Sequence, residues 1–134
     1  MSGWMTRQHN RRLIEALVLE RDYTGLAEDV VLRDQAQERS FCGRRAATAL
    51  LDALFGQSFT GIETNVQMVV AGDENAALAF LFHGRQDGIF LGIPPTQQEV
   101  DVPMVLMCQM KGGQIREATL YYNAGTLLRQ LGLA

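Results

Sequence analysis

The amino-acid sequence predicts an α+β fold in a single domain spanning residues 1–134. Three observations point there. The first 55 residues carry apolar side chains at helical spacing, the stretch after Gly56 switches to a two-residue repeat, and glycine-rich turns punctuate that second half. Helices first and a meander afterwards is the α+β order, not the alternation of a βαβ chain.

Each element has its own signal. Leu13, Ile14, Leu17 and Val18 form one stripe within Met5–Asp22, with Arg11, Arg12, Glu15 and Glu20 largely on other faces, so a first amphipathic helix is expected. The β-branched pair Val30 and Val31 predicts a short strand over Asp29–Asp34, followed by a polar loop from Gln35 to Ser40. A second helix is expected from Gly43 to Phe55, where Ala46, Ala47, Leu50, Leu51, Leu54 and Phe55 recur at helical spacing and Gly56 supplies the stop. Ile62, Val66, Met68 and Val70 then alternate with Glu63, Asn65, Gln67 and Val69, the repeat of a half-buried strand. Gly72–Asn75 reads as a hairpin turn, and Ala76–His83, apolar on both parities, as a central strand covered on both faces.

A long strand over Gln98–Met110 places Val100, Val102, Met104, Leu106, Cys108 and Met110 on one face and Glu99, Asp101 and Gln109 on the other, with Pro103 marking a bulge or an edge. Gly112 and Gly113 make a two-residue hairpin signal, so a last strand, Gln114–Asn123, pairs antiparallel with its predecessor. Ala124–Leu131 closes the chain as a helical turn or two, stopped at Gly132.

Composition removes several classes of function. Hydrophobic residues make up 47% and charged residues 20%, the proportions of a chain that builds a core. A net charge of −3 leaves no broad positive field for nucleic acid, and the basic cluster Arg7–Arg12 reads as a solvated helix face. The longest apolar run, Ala76–Phe82, falls far short of the roughly 20 residues that span a bilayer. Charges spread through the N-terminal apolar positions argue against a secretory segment, so a cytoplasmic location is expected, with no membrane partner. Cys42 and Cys108 stand in no metal-type spacing and are expected to be structural thiols; with only His9 and His83 and no HExxH pattern, no metal site is expected.

Two stretches are more specific than any periodicity: HGRQDGIFLGIPPT, from His83 to Thr96, and GTLLRQLG, from Gly125 to Gly132. Together with Gly113 and Ile115, and with Gly43 opening the second helix, they resemble the SnoaL-like polyketide cyclase family over nearly the whole chain. The resemblance implies a cone-shaped α+β barrel, in which a bent antiparallel sheet wraps around N-terminal helices and encloses an internal pocket, and it implies a homodimer. Taken by themselves, Pro94 and Pro95 stiffen a loop, the spaced glycines permit tight turns, and the closing LRQLG packs the barrel shut. The glycines do not make a phosphate loop, since its Lys and Ser/Thr are missing.

Cyclases of this family close a ring by intramolecular aldol chemistry without metal or cofactor, using an acidic side chain on the last strand. Carried over by motif, that acid falls on Leu120, flanked on its face by Ala118 and Tyr122. The family's polar helpers fall on Met104 and Leu106, and a polar position near the first strand on Leu32, or on Asp34 after a small shift. Leu cannot transfer a proton. The expected pocket, lined by Leu32, Met104, Leu106, Cys108, Ala118, Leu120 and Tyr122, is therefore mainly carbon and sulfur and suits a hydrophobic small molecule.

The remaining polar candidates for acid/base work are His83, Asp34 and Tyr122. Asp87 is a further possible acid, but Asp34 and Asp87 alike read better as loop or capping residues, and Trp4 reads as a cover for the cavity mouth or an anchor for the N-terminus. Two readings stay open: a cofactor-independent cyclase or isomerase with a relocated acid/base, and a non-catalytic hydrophobic-ligand-binding or dimerisation domain.

Overall fold

The computed structural model describes residues 3–133. In chain order the elements are helix α1 (Gly3–Leu19), strands β1 (Leu26–Asp34) and β2 (Arg39–Cys42), helix α2 (Arg44–Asp52) running into a π-helical turn (Ala53–Gln57), strands β3 (Phe59–Ala71), β4 (Asn75–Gln86), β5 (Glu99–Lys111) and β6 (Gln114–Tyr121), and helix α3 (Ala124–Gln130). The six strands form one open sheet in the order β2-β1-β6-β5-β4-β3. Helices first and meander second is the α+β arrangement expected from the two periodicities. The sheet is mixed, however, not purely antiparallel, because β1 runs parallel to β6. No local sequence pattern specifies that pairing between the first strand and the last.

Alternation on β4, β5 and β6 sets the core. Leu78, Phe80, Phe82, Val100, Val102, Met104, Leu106, Cys108, Ala118 and Leu120 all turn to one face and are buried there. Ile14, Leu17 and Val18 of α1 and Ala47, Leu50 and Leu51 of α2 meet them, so the helical stripe and the strand face share one cluster. At one end of it Phe55, Phe59, Phe80, Phe82 and Phe90 pack ring on ring, three of the contacts edge-to-face at 5.3–5.9 Å.

Three expectations need correction. Residues 39–42, of which the first two fall in the expected loop, form the edge strand β2, too short and too exposed to show a period. On β3 the pairing register shifts between Val66 and Met68, which reverses the parity. Met68 and Val70 consequently face outward, 63% and 54% exposed, while Val69 and Ala71 pack against the core. Nor is β4 covered on both faces: its odd positions, Ala77, Ala79, Leu81 and His83, are only half-buried.

Pro103 sits where β5 has outrun β6, whose pairing begins at Val105. Its missing N–H costs no ladder bond there. One step earlier, the side-chain amide of Gln130 on α3 stands in for the absent strand: it accepts from the Asp101 N–H at 2.6 Å and donates to the Asp101 carbonyl at 2.9 Å. The LRQLG element thus docks α3 on the sheet. The stretch from Gln86 to Thr96 is organised by one buried side chain, since the Gln86 amide donates to the carbonyls of Gly88, Ile93 and Pro94 and accepts from the Thr96 N–H and hydroxyl. Gly88 is required because a Cβ there would lie 2.6 Å from the Gln57 carbonyl oxygen.

Candidate functional site

Asp34, the last residue of β1, is 1% exposed. It ends the inward-facing series Val30, Leu32, Asp34, and its register partner on β6 is Leu120. Leu120, the residue onto which the resemblance carries an acid, therefore has a carboxylate beside it, one strand over at the same level of the sheet.

Burial of a charge demands partners, and Asp34 has them. The Tyr122 hydroxyl donates to Asp34 Oδ2 at 2.9 Å, and Gln37 Nε2 donates to the same oxygen at 2.7 Å. Gln37 Nε2 also donates to Tyr122 Oη at 2.9 Å, which closes a triangle. Proton directions in this triangle follow from valence. The amide nitrogen has no acceptor capacity, so the phenol proton can go only to the carboxylate. Burial, reinforced by the Asp34 charge, holds the Tyr122 pKa above that of an ordinary phenol, so the hydroxyl stays protonated at neutral pH. The second carboxylate oxygen, Oδ1, accepts a longer bond from the Gln37 backbone N–H at 3.3 Å.

The other side chains expected to line a pocket are where alternation places them. Leu32, Met104, Leu106, Cys108, Ala118 and Leu120 are each 2% exposed and pack against one another and the helices. Burial pushes the Cys108 thiol up to about 12, so it is an inert core group. A groove of about 360 Å³ opens on the opposite face of the sheet, with Arg33, Val70, Met107, Thr119 and Tyr121 in its wall.

Among the polar candidates, the structure brings Asp34 and Tyr122 together and separates His83 from both. Leu120, Leu106 and Leu78 form one row across the sheet with Asp34, and His83 lies five residues from Leu78 on the same strand, hence on the other face. There its Nδ1 lies 2.8 Å from Asp101 and its Nε2 3.8 Å from Glu99. The apolar run before it concealed the face it occupies.

Asp87 is an outlying loop acid, bonded to Thr60 and paired with Arg85 at 3.2 Å. Trp4 is 62% exposed on the first turns of α1, beside the β3–β4 hairpin that Arg7 and Asn10 contact, with β6 and β5 between that hairpin and the strand of Asp34. Gln37 lies inside the segment expected to be polar loop. Its only sequence signal is its place three residues after an Asp, the spacing at which a carboxylate accepts from a turn N–H. Among the described residues no group of three or more His, Cys, Asp or Glu side chains is placed to hold a metal ion, and no helix is long and apolar enough to cross a membrane.

The family model of the SnoaL-like polyketide cyclases matches residues 7–131. The chain belongs to that family. No curated protein sequence matches it. Solved structures share the fold of this SnoaL-like protein. One is a SnoaL-like protein of Jannaschia sp. CCS1, 22% identical over 96% of this chain and 95% of that one, with a TM-score of 0.85. TsrD of Streptomyces laurentii is 20% identical over the full length of both chains, with a TM-score of 0.77. An LEH-like epoxide hydrolase of M. tuberculosis is 15% identical, covering 93% of this chain and 90% of that one, with a TM-score of 0.70. Identities this low carry the architecture and leave the chemistry to be argued from the side chains.

Proposed function

We propose that this SnoaL-like protein takes a hydrophobic small molecule at the Asp34 end of its sheet and acts on it by general acid/base chemistry, with neither metal nor nucleotide cofactor. The observation that carries the reading is the register of Asp34 with Leu120: the acid missing from the last strand is supplied by the neighbouring one. In this role the Asp34 carboxylate accepts a proton from a carbon acid, and the neutral Tyr122 phenol, 2.9 Å away, donates to the oxygen on which negative charge develops. Leu32, Leu120 and Leu106 supply an apolar bed, which suits a substrate whose bulk is hydrocarbon and whose reacting group is a carbonyl.

The test is exchange of the α-protons of a neutral apolar ketone such as 2-tetralone in D2O. Wild-type protein is expected to accelerate the exchange, and Asp34→Asn to lose at least 100-fold of that acceleration, on the order expected for a removed general base. No acceleration by wild-type protein would sink the enzymatic reading. Binding without turnover is the second reading, favoured by the apolar residues at Leu120, Met104 and Leu106. It predicts that hydrophobic compounds are retained in native mass spectra while no exchange occurs.

A homodimer belongs to the same proposal, formed through the outer face of the sheet. Met68, Val70, Met107 and Tyr121 are exposed there on three strands, and Arg33 with Glu117 and His83 with Asp101 put both signs of charge around them. A face that carries both signs is able to complement a copy of itself, which favours a second chain over a strongly charged partner.

A further inference from the structure

We propose that Gln37 is a built-in plug: its side-chain amide occupies the place of the ligand's reacting group, and ligand enters as the turn formed by residues 35–38 swings away from Asp34. The inference rests on the acid/base reading of Asp34 and Tyr122 and adds how that pair is reached. Asp34 is 1% exposed, so no substrate touches it in the arrangement described. What covers it is identifiable. Gln37 Nε2 donates at once to the carboxylate and to the phenol oxygen, at 2.7 and 2.9 Å, and so fills the point between base and hydrogen-bond donor where a reacting carbonyl compound has to sit.

The segment that carries Gln37 has the weakest ties of this site, and it hinges at Gln35, whose backbone N–H stays on the Leu120 carbonyl at 3.0 Å. It joins β1 to β2, a four-residue edge strand. The Gln37 N–H to Asp34 carbonyl and Glu38 N–H to Gln35 carbonyl contacts are both 3.3 Å, longer than a good amide bond. Glu38 adopts a left-handed φ of 54°, a conformation that a side chain bearing a Cβ takes at a cost. By contrast, the groups that remain are anchored. Asp34 lies within the β1–β6 ladder, and Tyr122 directly follows β6 and packs on the core. Withdrawal of Gln37 therefore exposes a preset pair, with Oδ2 free to accept from the ligand and the Tyr122 proton free to turn toward it. A hydroxyl or enol oxygen can meet the same two groups, donating its one proton to Asp34 Oδ2 and accepting from the Tyr122 hydroxyl, so the plug selects for ligands that replace the bonds it gives up.

The probe is 2-naphthol, neutral near pH 7, apolar in its body and carrying one hydroxyl. Gln37→Ala is expected to bind it at least ten-fold more tightly than wild type, and Asp34→Asn in the Gln37→Ala background to cancel that gain. In stopped-flow measurements the wild-type binding rate is expected to reach a plateau as 2-naphthol is raised, the plateau being the opening of the turn, and Gln37→Ala to show none. Gln37→Glu, which sets a like charge against Asp34, is a second way to drive the turn open and is expected to match Gln37→Ala. Equal affinities for wild type and Gln37→Ala, with Asp34→Asn weakening both, overturn the plug and leave the site standing. Binding that ignores Asp34→Asn in every background, or no binding at all, overturns both. Loss of the folded state in both Gln37 variants makes Gln37 a structural clamp and also ends the proposal.

Discussion

His83 holds its imidazole against Asp101, with Glu99 and Glu63 adding negative charge from the two neighbouring strands. The hydrogen bond to Asp101 is the main reason its pKa is raised, with the neighbouring charges adding to it against a smaller effect of burial. The sign of the consequence follows. A group whose folded-state pKa lies above its unfolded one stabilises the fold fully below the unfolded value, about 6.5 for His, and ceases to do so as pH rises through the folded value. His83→Gln is therefore expected to lower stability near about pH 6 and to cost little near about pH 9. Urea denaturation of the two proteins at both values checks it; an equal loss at both contradicts the ion-pair account. Tyr122 stands out in the sequence itself as a phenol of inward parity, whereas Asp34 is reached only by shifting the motif from Leu32 and reads equally as a loop or capping residue. Gln37 does not stand out, because its role depends on a turn that folds its amide back over its own neighbour.

At the scale of elements, the stretch between β4 and β5 that looks most like a ligand motif is a structural device. Gln86 serves three carbonyls and two donors of that loop from a fully buried position. Gln86→Leu removes those bonds; the Ile93 carbonyl keeps the Phe90 N–H and the exposed Pro94 can turn to water, so the unpaired remainder is expected to cost about 1–3 kcal/mol. Chemical denaturation measures it, with hydrogen exchange rising first between residues 86 and 97. The strands β4, β5 and β6 were legible because alternation writes their faces directly into the sequence. The edge strand β2 was not, since four exposed residues carry no period. On β3 one extra residue after Val66 exchanged the two faces, a change that composition does not reveal. The second helix was legible in its stripe but not in its end: the π-helical turn carries the backbone through Gly56, where the glycine was expected to stop it.

For the whole molecule, the proposed dimer has the outer sheet face at its centre. Met107 is 51% exposed near the middle of that face. Met107→Lys is expected to convert a dimer to a monomer in sedimentation velocity with little change in the thermal stability of the monomer, because the side chain already meets water in the isolated chain. A wild-type protein that sediments as a monomer at high concentration contradicts the dimer outright. Which face lies outward could be read from the odd positions of β5. That the face extends unbroken to Arg33 on β1 could not, because it depends on β1 lying alongside β6.

That β1–β6 seam also sets the order in which the chain can be assembled. Leu32 and Asp34 join Ala118 and Leu120 across more than eighty intervening residues. During synthesis β1 has no long neighbour until β6 has been made, and loop closure over such a span slows the final step. A nascent chain ending before β6 leaves one flank of the first strand bare, so maturation is expected to wait until β6 has left the ribosome.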